Sequence, residues 1–223
     1  MNGEQNMKKN AFTLAEVLLT LAIIGVVAAL TIPAVTQKSS KRQYVTSLQK
    51  ANSTLKQVMQ SAELKNGPIA SWKVEYDHSD FEKFLLPHFD VLKNCGATTD
   101  SGCTASKYKL KNDTNWGNPN RSEYYKILTS DGISYFYYVP ADRTDNNRTI
   151  GWILVDVNGK KGPNVRGRDF FRFNLYRYYG IKPHGTYNSD DDAYLSADRV
   201  DASCLDTGIY CTAKVLSEGA MNY

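Results

Sequence analysis

Residues 17–35 read VLLTLAIIGVVAALTIPAV, nineteen positions without a charged side chain. Wound as a helix at ~1.5 Å per residue they extend ~28 Å, close to the ~30 Å of a bilayer's hydrocarbon core. Charge returns on both sides, with Lys8, Lys9 and Glu16 before the run and Lys38, Lys41 and Arg42 after it. A secretory signal peptide would carry a shorter apolar core ended by a small-x-small cleavage site. Ala28-Ala29 offers something similar, but the run continues past it. A plain membrane anchor suits the length, yet it would rarely hold Glu16 at its margin and Pro33 within it. A carboxylate at that depth is costly and marks a functional position.

The segment Lys8-Lys9-Asn10-Ala11-Phe12-Thr13-Leu14-Ala15-Glu16-Val17-Leu18-Leu19 resembles the class III signal of type IV pilins and type II secretion pseudopilins. The resemblance is strong over residues 8–36 and faint elsewhere. It implies that a prepilin peptidase removes the basic leader, residues 1–11, by cutting between Ala11 and Phe12 on the cytoplasmic side. Phe12 then becomes the N-methylated first residue, and the apolar helix stays in the mature chain. The family usually has Gly before the cut, where this chain has Ala11; Met7 offers an alternative start with a very short leader. Glu16 matches the family's glutamate, and Pro33 the proline that interrupts its N-terminal helix. A carboxylate in lipid needs a partner. The free amine of Phe12 supplies one, and in the family it belongs to the neighbouring subunit, so that the pair sets the register of assembly.

The function so implied is that of a structural subunit of a type IV pilus-like or type II secretion filament. Its partners would be other pilin subunits, the peptidase, the membrane and an assembly platform. The precursor would cross the cytoplasmic membrane once with its globular domain outside, and then enter a periplasmic or extracellular filament. The alternative is a minor pilin of a competence system that binds DNA for uptake.

The helix is expected to run on past Pro33. Tyr44, Leu48, Ala51, Leu55, Val58 and Ala62 recur every three or four residues and mark one apolar face, while Lys38, Lys41, Arg42, Lys50 and Lys56 lie on the other. Gly67-Pro68 is its stop signal. Pro33 should kink or locally melt the helix, with Gly25 a second weak point. The organisation expected is a leader over 1–11, a helix over 12–66 with its membrane segment at about 14–35, and a globular domain over 67–223.

The chain has 223 residues, 42% of them hydrophobic, and a net charge of +4. That suits one globular domain with an appendage, is too apolar and aromatic for disorder, and compels no nucleic-acid partner. The fold class expected is α+β, with the long helix packed on an antiparallel sheet of about four strands: EYYKILT (123–129), ISYFYYV (133–139), TIGWILVDV (149–157) and FFRFNLY (170–176). Ser130-Asp131-Gly132 reads as the hairpin turn between the first two. A short helix over 80–86 should be capped by Ser79 or Asp80 and ended by Pro87. The tail from Lys182, with its Asp190-Asp191-Asp192 run, reads as turn-rich.

Cys95 and Cys103 are separated by seven residues, Cys204 and Cys211 by six. Zinc knuckles use shorter gaps, so two disulfides and an oxidising compartment are the expectation, with local pairing chosen among three connectivities. The segment from Asp156 to Asp169 offers oxygen donors, with Asp156, Asn158 and Asp169 as the side chains that would hold calcium. The competing reading is a tight connection in which Asn and Asp bond to the backbone. The same region is basic (Lys160, Lys161, Arg166, Arg168, Arg172, Arg177), with Phe170, Phe171, Phe173, Tyr176, Tyr178 and Tyr179 interleaved. Such mixtures bind single strands, but Arg on a solvated strand edge also discourages edge pairing. His78, His88 and His184 are scattered and no catalytic motif is present, so no enzyme is expected.

Overall fold

The computed structural model describes residues 13–99, 102–117, 119, 121–139, 149–186 and 196–223. The chain divides into two units, residues 1–40 and residues 41–223. Helix α1, Leu14–Asn66, belongs partly to each.

Pro33 does not interrupt α1, which is helical on both sides of it, so the expected melting is absent. Proline removes one N–H from the ladder. Nearby the Thr36 hydroxyl donates to the carbonyls of Ile32 and Pro33 at 3.0 and 2.9 Å, and Thr31 donates to Val27 at 2.9 Å. Each hydroxyl is thus absorbed by the helix's own carbonyls, as a chain in lipid requires. At the other end Gly67 takes a positive φ of 79°, and its N–H donates to the Glu63 carbonyl at 2.9 Å. Asn66 caps Ala62 through its side chain. The helix therefore stops where Gly-Pro said it would.

The second unit is a three-layer arrangement. Six strands form one antiparallel sheet: β1 (Val91–Gly96), β4 (Tyr124–Thr129), β5 (Ser134–Tyr138), β6 (Thr149–Asp156), β7 (Phe170–Tyr176) and β8 (Gly180–Pro183), side by side in that order. The sheet therefore has six strands, not about four. The four strands expected are its centre. β1 and β8 are the additions, one at each edge. A separate two-stranded ribbon joins β2 (Tyr108–Lys109) to β3 (Asn115–Gly117).

Alternation along the central strands sends side chains to both faces. Tyr125, Ile127, Tyr135, Tyr137, Ile153, Val155, Phe171, Phe173 and Leu175 form one core with the α1 stripe, all of whose six residues are 9% exposed or less. On the opposite face Phe136, Leu154 and Phe170 form a second, smaller core with Tyr108 of the ribbon, against which Trp116 and Tyr124 pack.

Two local expectations change. The helical segment before β1 starts earlier and is compound: α2 (His78–Asp80), a π turn over Phe81–Leu85 and a 3₁₀ turn over Leu86–His88. Its cap is Asp77, which accepts from the Ser79 N–H at 2.7 Å. Asp80 instead accepts from the N–H groups of Glu75 and Tyr76. Beyond residue 196 the tail is two helices rather than turns, α3 (Ala197–Asp206), capped by Ser196, and α4 (Cys211–Glu218), ended by Gly219 at a φ of 62°. The Asp190–Asp192 run lies outside the described residues. The disulfides are Cys95–Cys103 and Cys204–Cys211, the local pairing; the second ties α3 to α4.

Candidate functional site

The N-terminal end of α1 is built as a capping box. Thr13 sits before the first helical residue and Glu16 three positions on. The Glu16 carboxylate accepts from both the N–H and the hydroxyl of Thr13 at 2.9 Å, and the Glu16 N–H returns a bond to the Thr13 hydroxyl at 3.3 Å. This satisfies donors that every helix start leaves open. The negative charge also lies at the positive end of the helix dipole. Sequence reading found Glu16 but not its local partner, although Thr-x-x-Glu is a recognisable signal. Ala11 and Phe12 lie outside the described residues.

Past Glu16 the helix is apolar on every side. Leu14, Val17, Leu18, Leu19, Leu21, Ile23, Ile24, Val26, Val27, Leu30, Ile32 and Val35 are all exposed. An eighteen-residue stretch of this helix has a mean hydropathy of 2.5, and none of it is buried by the chain itself. A helix hydrophobic all round must be covered by lipid or by other chains. It is the one helix among the described residues that is long and apolar enough to cross a membrane.

Residues 6–32 match the model of the prokaryotic N-terminal methylation motif. The chain thus carries the class III signal that is diagnostic of pilin and pseudopilin precursors. No curated protein and no solved structure matches the chain.

The 156–169 loop is closed by its own hydrogen bonds. Asp156, fully buried on β6, accepts from the Tyr108 hydroxyl at 2.6 Å and from the Asn158 N–H at 3.2 Å. Burial pushes its carboxyl up to about 8, against the opposing pull of the Tyr108 bond. Asp169, also fully buried, accepts from the N–H groups of Asn164 and Val165 at 2.8 and 2.7 Å. Its carboxyl too is raised, by burial first. The Asn158 amide donates to the Gly162 carbonyl at 3.1 Å. Asn158 Oδ1 and Asn164 Oδ1 are buried without a donor. Among the described residues no group of three or more His, Cys, Asp or Glu is placed to hold a metal ion. The two carboxylates are engaged in closing the loop, Asp156 through Tyr108 and the Asn158 N–H and Asp169 through the backbone of Asn164 and Val165.

The basic, aromatic stretch is not one surface. Phe170, Phe171 and Phe173 are core residues. Arg172 lies over the Trp152 ring at 3.5 Å and donates to Asn174 at 2.8 Å. Arg177 donates to the Tyr76 hydroxyl at 2.8 Å. Tyr178 and Tyr179 are the exposed rings. A base-stacking row over residues 170–173 is thus lost to the interior. Of the histidines, His78 meets the Glu123 carbonyl at 2.8 Å and His184 that of Ile209 at 2.9 Å.

Proposed function

We propose that this chain is the precursor of a pilin or pseudopilin, a structural subunit of a type IV pilus-like or type II secretion filament, and that it is not an enzyme. The observation that carries this reading is the uncovered apolar helix, most of whose uncharged stretch lies within the methylation motif over residues 6–32. Prepilin peptidase cuts between Ala11 and Phe12 and the new amine is methylated. The apolar part of α1 first holds the precursor in the cytoplasmic membrane with the disulfide-bonded unit outside. It then leaves lipid and is buried against the same helix of other subunits on an assembly platform, so one surface serves as anchor and as filament core.

Glu16 has two successive partners in this scheme. In the single chain it is held by Thr13; in the filament it meets the positive amine of a neighbour. Glu16→Ala tests this. Membrane insertion should persist, because a charge costly in lipid is gone, while the yield of sheared filaments falls. Wild-type filament yield would remove Glu16 from the assembly step.

A further inference from the structure

The loop between β6 and β7 lies at the end of the sheet where α1 enters the second unit. The β4–β5 turn shares that end: its Asp131 pairs with Lys50 of α1 at 3.0 Å, and a Cβ on Gly159 would fall 2.9 Å from the Gly132 carbonyl. Tyr44 of α1 is raised above its ordinary value by burial first and then by the charge of Asp169, with Arg168 and Asp156 also acting on it. Tyr223 bridges the two elements. Its carbonyl accepts from the Lys41 ammonium, and its hydroxyl donates to the carbonyl of Gly167, the neighbour of Arg168. The other end of the sheet lies by Met59, 3.6 Å from where a Cβ on Gly180 would stand.

This end carries uncompensated positive charge. Lys160, Lys161 and Arg168 on the loop and Arg42 on α1 are all exposed. Among the described residues none of the four has an ion-pair partner. Acids of the same end are engaged: Asp156 and Asp169 by the bonds that close the loop, Asp131 by Lys50, and Asp90 by the Ser130 hydroxyl. Chain length then limits what these cations can meet. Only residues 36–40 lie between the uncharged run and Lys41, where the second unit begins. Even fully extended, the chain from Val35 to Lys41 spans at most ~21 Å. With the run in a bilayer, the α1 end of this unit is therefore tethered close to the lipid headgroups, whatever its orientation.

We infer that Lys160, Lys161 and Arg168, with Arg42 beside the tether, form a docking surface for the anionic phospholipid headgroups of the outer leaflet while the precursor is anchored; this rests on the membrane reading of α1 proposed above. Clustered Lys and Arg close to a membrane are drawn to anionic lipid, and the attraction fades beyond a Debye length. A nucleic acid would meet the same charges, but the tether gives the lipid surface the higher effective concentration. The contact is lost when the helix leaves lipid for the filament.

The test places a fluorophore on Gly162→Cys, a loop position with open space about it, in the full chain reconstituted into vesicles that contain a nitroxide-headgroup lipid. Quenching should be about twofold stronger where phosphatidylglycerol replaces part of the phosphatidylcholine. The difference should vanish in about 1 M KCl, where the Debye length is ~3 Å. It should vanish too when Lys160→Gln, Lys161→Gln and Arg168→Gln are combined, a variant that should melt as the parent does because all three side chains are exposed and unpaired. A duplex oligonucleotide at the same phosphate concentration should not remove it. Equal quenching on both vesicles, a difference that survives salt or the triple substitution, or one that the oligonucleotide removes, would overturn the inference. Flotation of the same samples separates the two readings. A chain that floats with phosphatidylcholine vesicles but is quenched equally on both overturns the docking surface alone, whereas one that does not float contradicts the membrane reading of α1 and this inference with it.

Discussion

Glu16 and Asp156 show how differently two carboxylates of one chain are used. Glu16 was legible because a single acid beside an uncharged run is conspicuous. Its contact with Thr13 is local and could have been read from the spacing. Asp156 was legible as an oxygen donor, but its partner Tyr108 lies 48 residues away and meets it only once the ribbon is laid on the sheet. That long-range bond gives Asp156 a structural role in holding the ribbon to the sheet. Its pH dependence follows. In the fold the Asp156 carboxyl titrates at about 8, against an ordinary value of 3.8. Between those values the folded chain holds a proton that the unfolded chain releases, so this group's contribution to stability is complete below about pH 4 and is lost as pH rises through 8. Asp156→Asn keeps an acceptor for Tyr108 and cannot titrate, and urea melts across that range should show a shallower decline than wild type. An unchanged slope would mean that Asp156 is already ionised in the fold. Millimolar calcium against chelator should leave the melting temperature unaltered, because the carboxylates are engaged within the loop; a rise that Asp156→Ala abolishes would restore the ion to this site.

Among the elements, α1 and the four central strands were readable because their periods are strong. The helix stripe from Tyr44 to Ala62 is buried at every position. The strands at the sheet edges were not readable. β1 (VLKNCG) exposes three successive side chains and its pairing with β4 is broken by register shifts; β8 is only four residues, GIKP. An edge strand packs on one neighbour and lacks the apolar alternation that announces a central one. The two C-terminal helices escaped notice because each buries only two or three side chains: Val200 and Cys204 in one, Cys211, Thr212 and Val215 in the other. For such short helices the disulfide matters more than the pattern. Replacing Cys204 and Cys211 together by Ser should lower stability by ~2–3 kcal/mol, measured by chemical denaturation with the first disulfide intact; no loss would mean that the helical pair is held by packing alone. Leu48→Ala, in the middle of the stripe, should cost ~2–5 kcal/mol by leaving a cavity between α1 and the sheet. A loss well under that range would show that α1 is not seated on the sheet there.

At the scale of the whole molecule the two units meet opposite solvent demands. Residues 41–223 bury two cores and carry two disulfides, whereas the described part of residues 1–40 buries almost nothing and is apolar on its surface. Such a helix is stable only in lipid or among its like. In the function proposed above, processing before the helix, rather than after it, keeps this surface in the mature protein for filament assembly. The most direct measurement is the mass of the N-terminal peptide of the mature chain, recovered from membranes and from any sheared filament fraction. It should begin at Phe12, heavier by one methyl group, with residues 1–11 absent. A chain that begins just after Ala28 or Ala29 would have lost the helix to an ordinary signal peptidase and would contradict the filament reading, as would a mature chain that still carries Lys8 and Lys9.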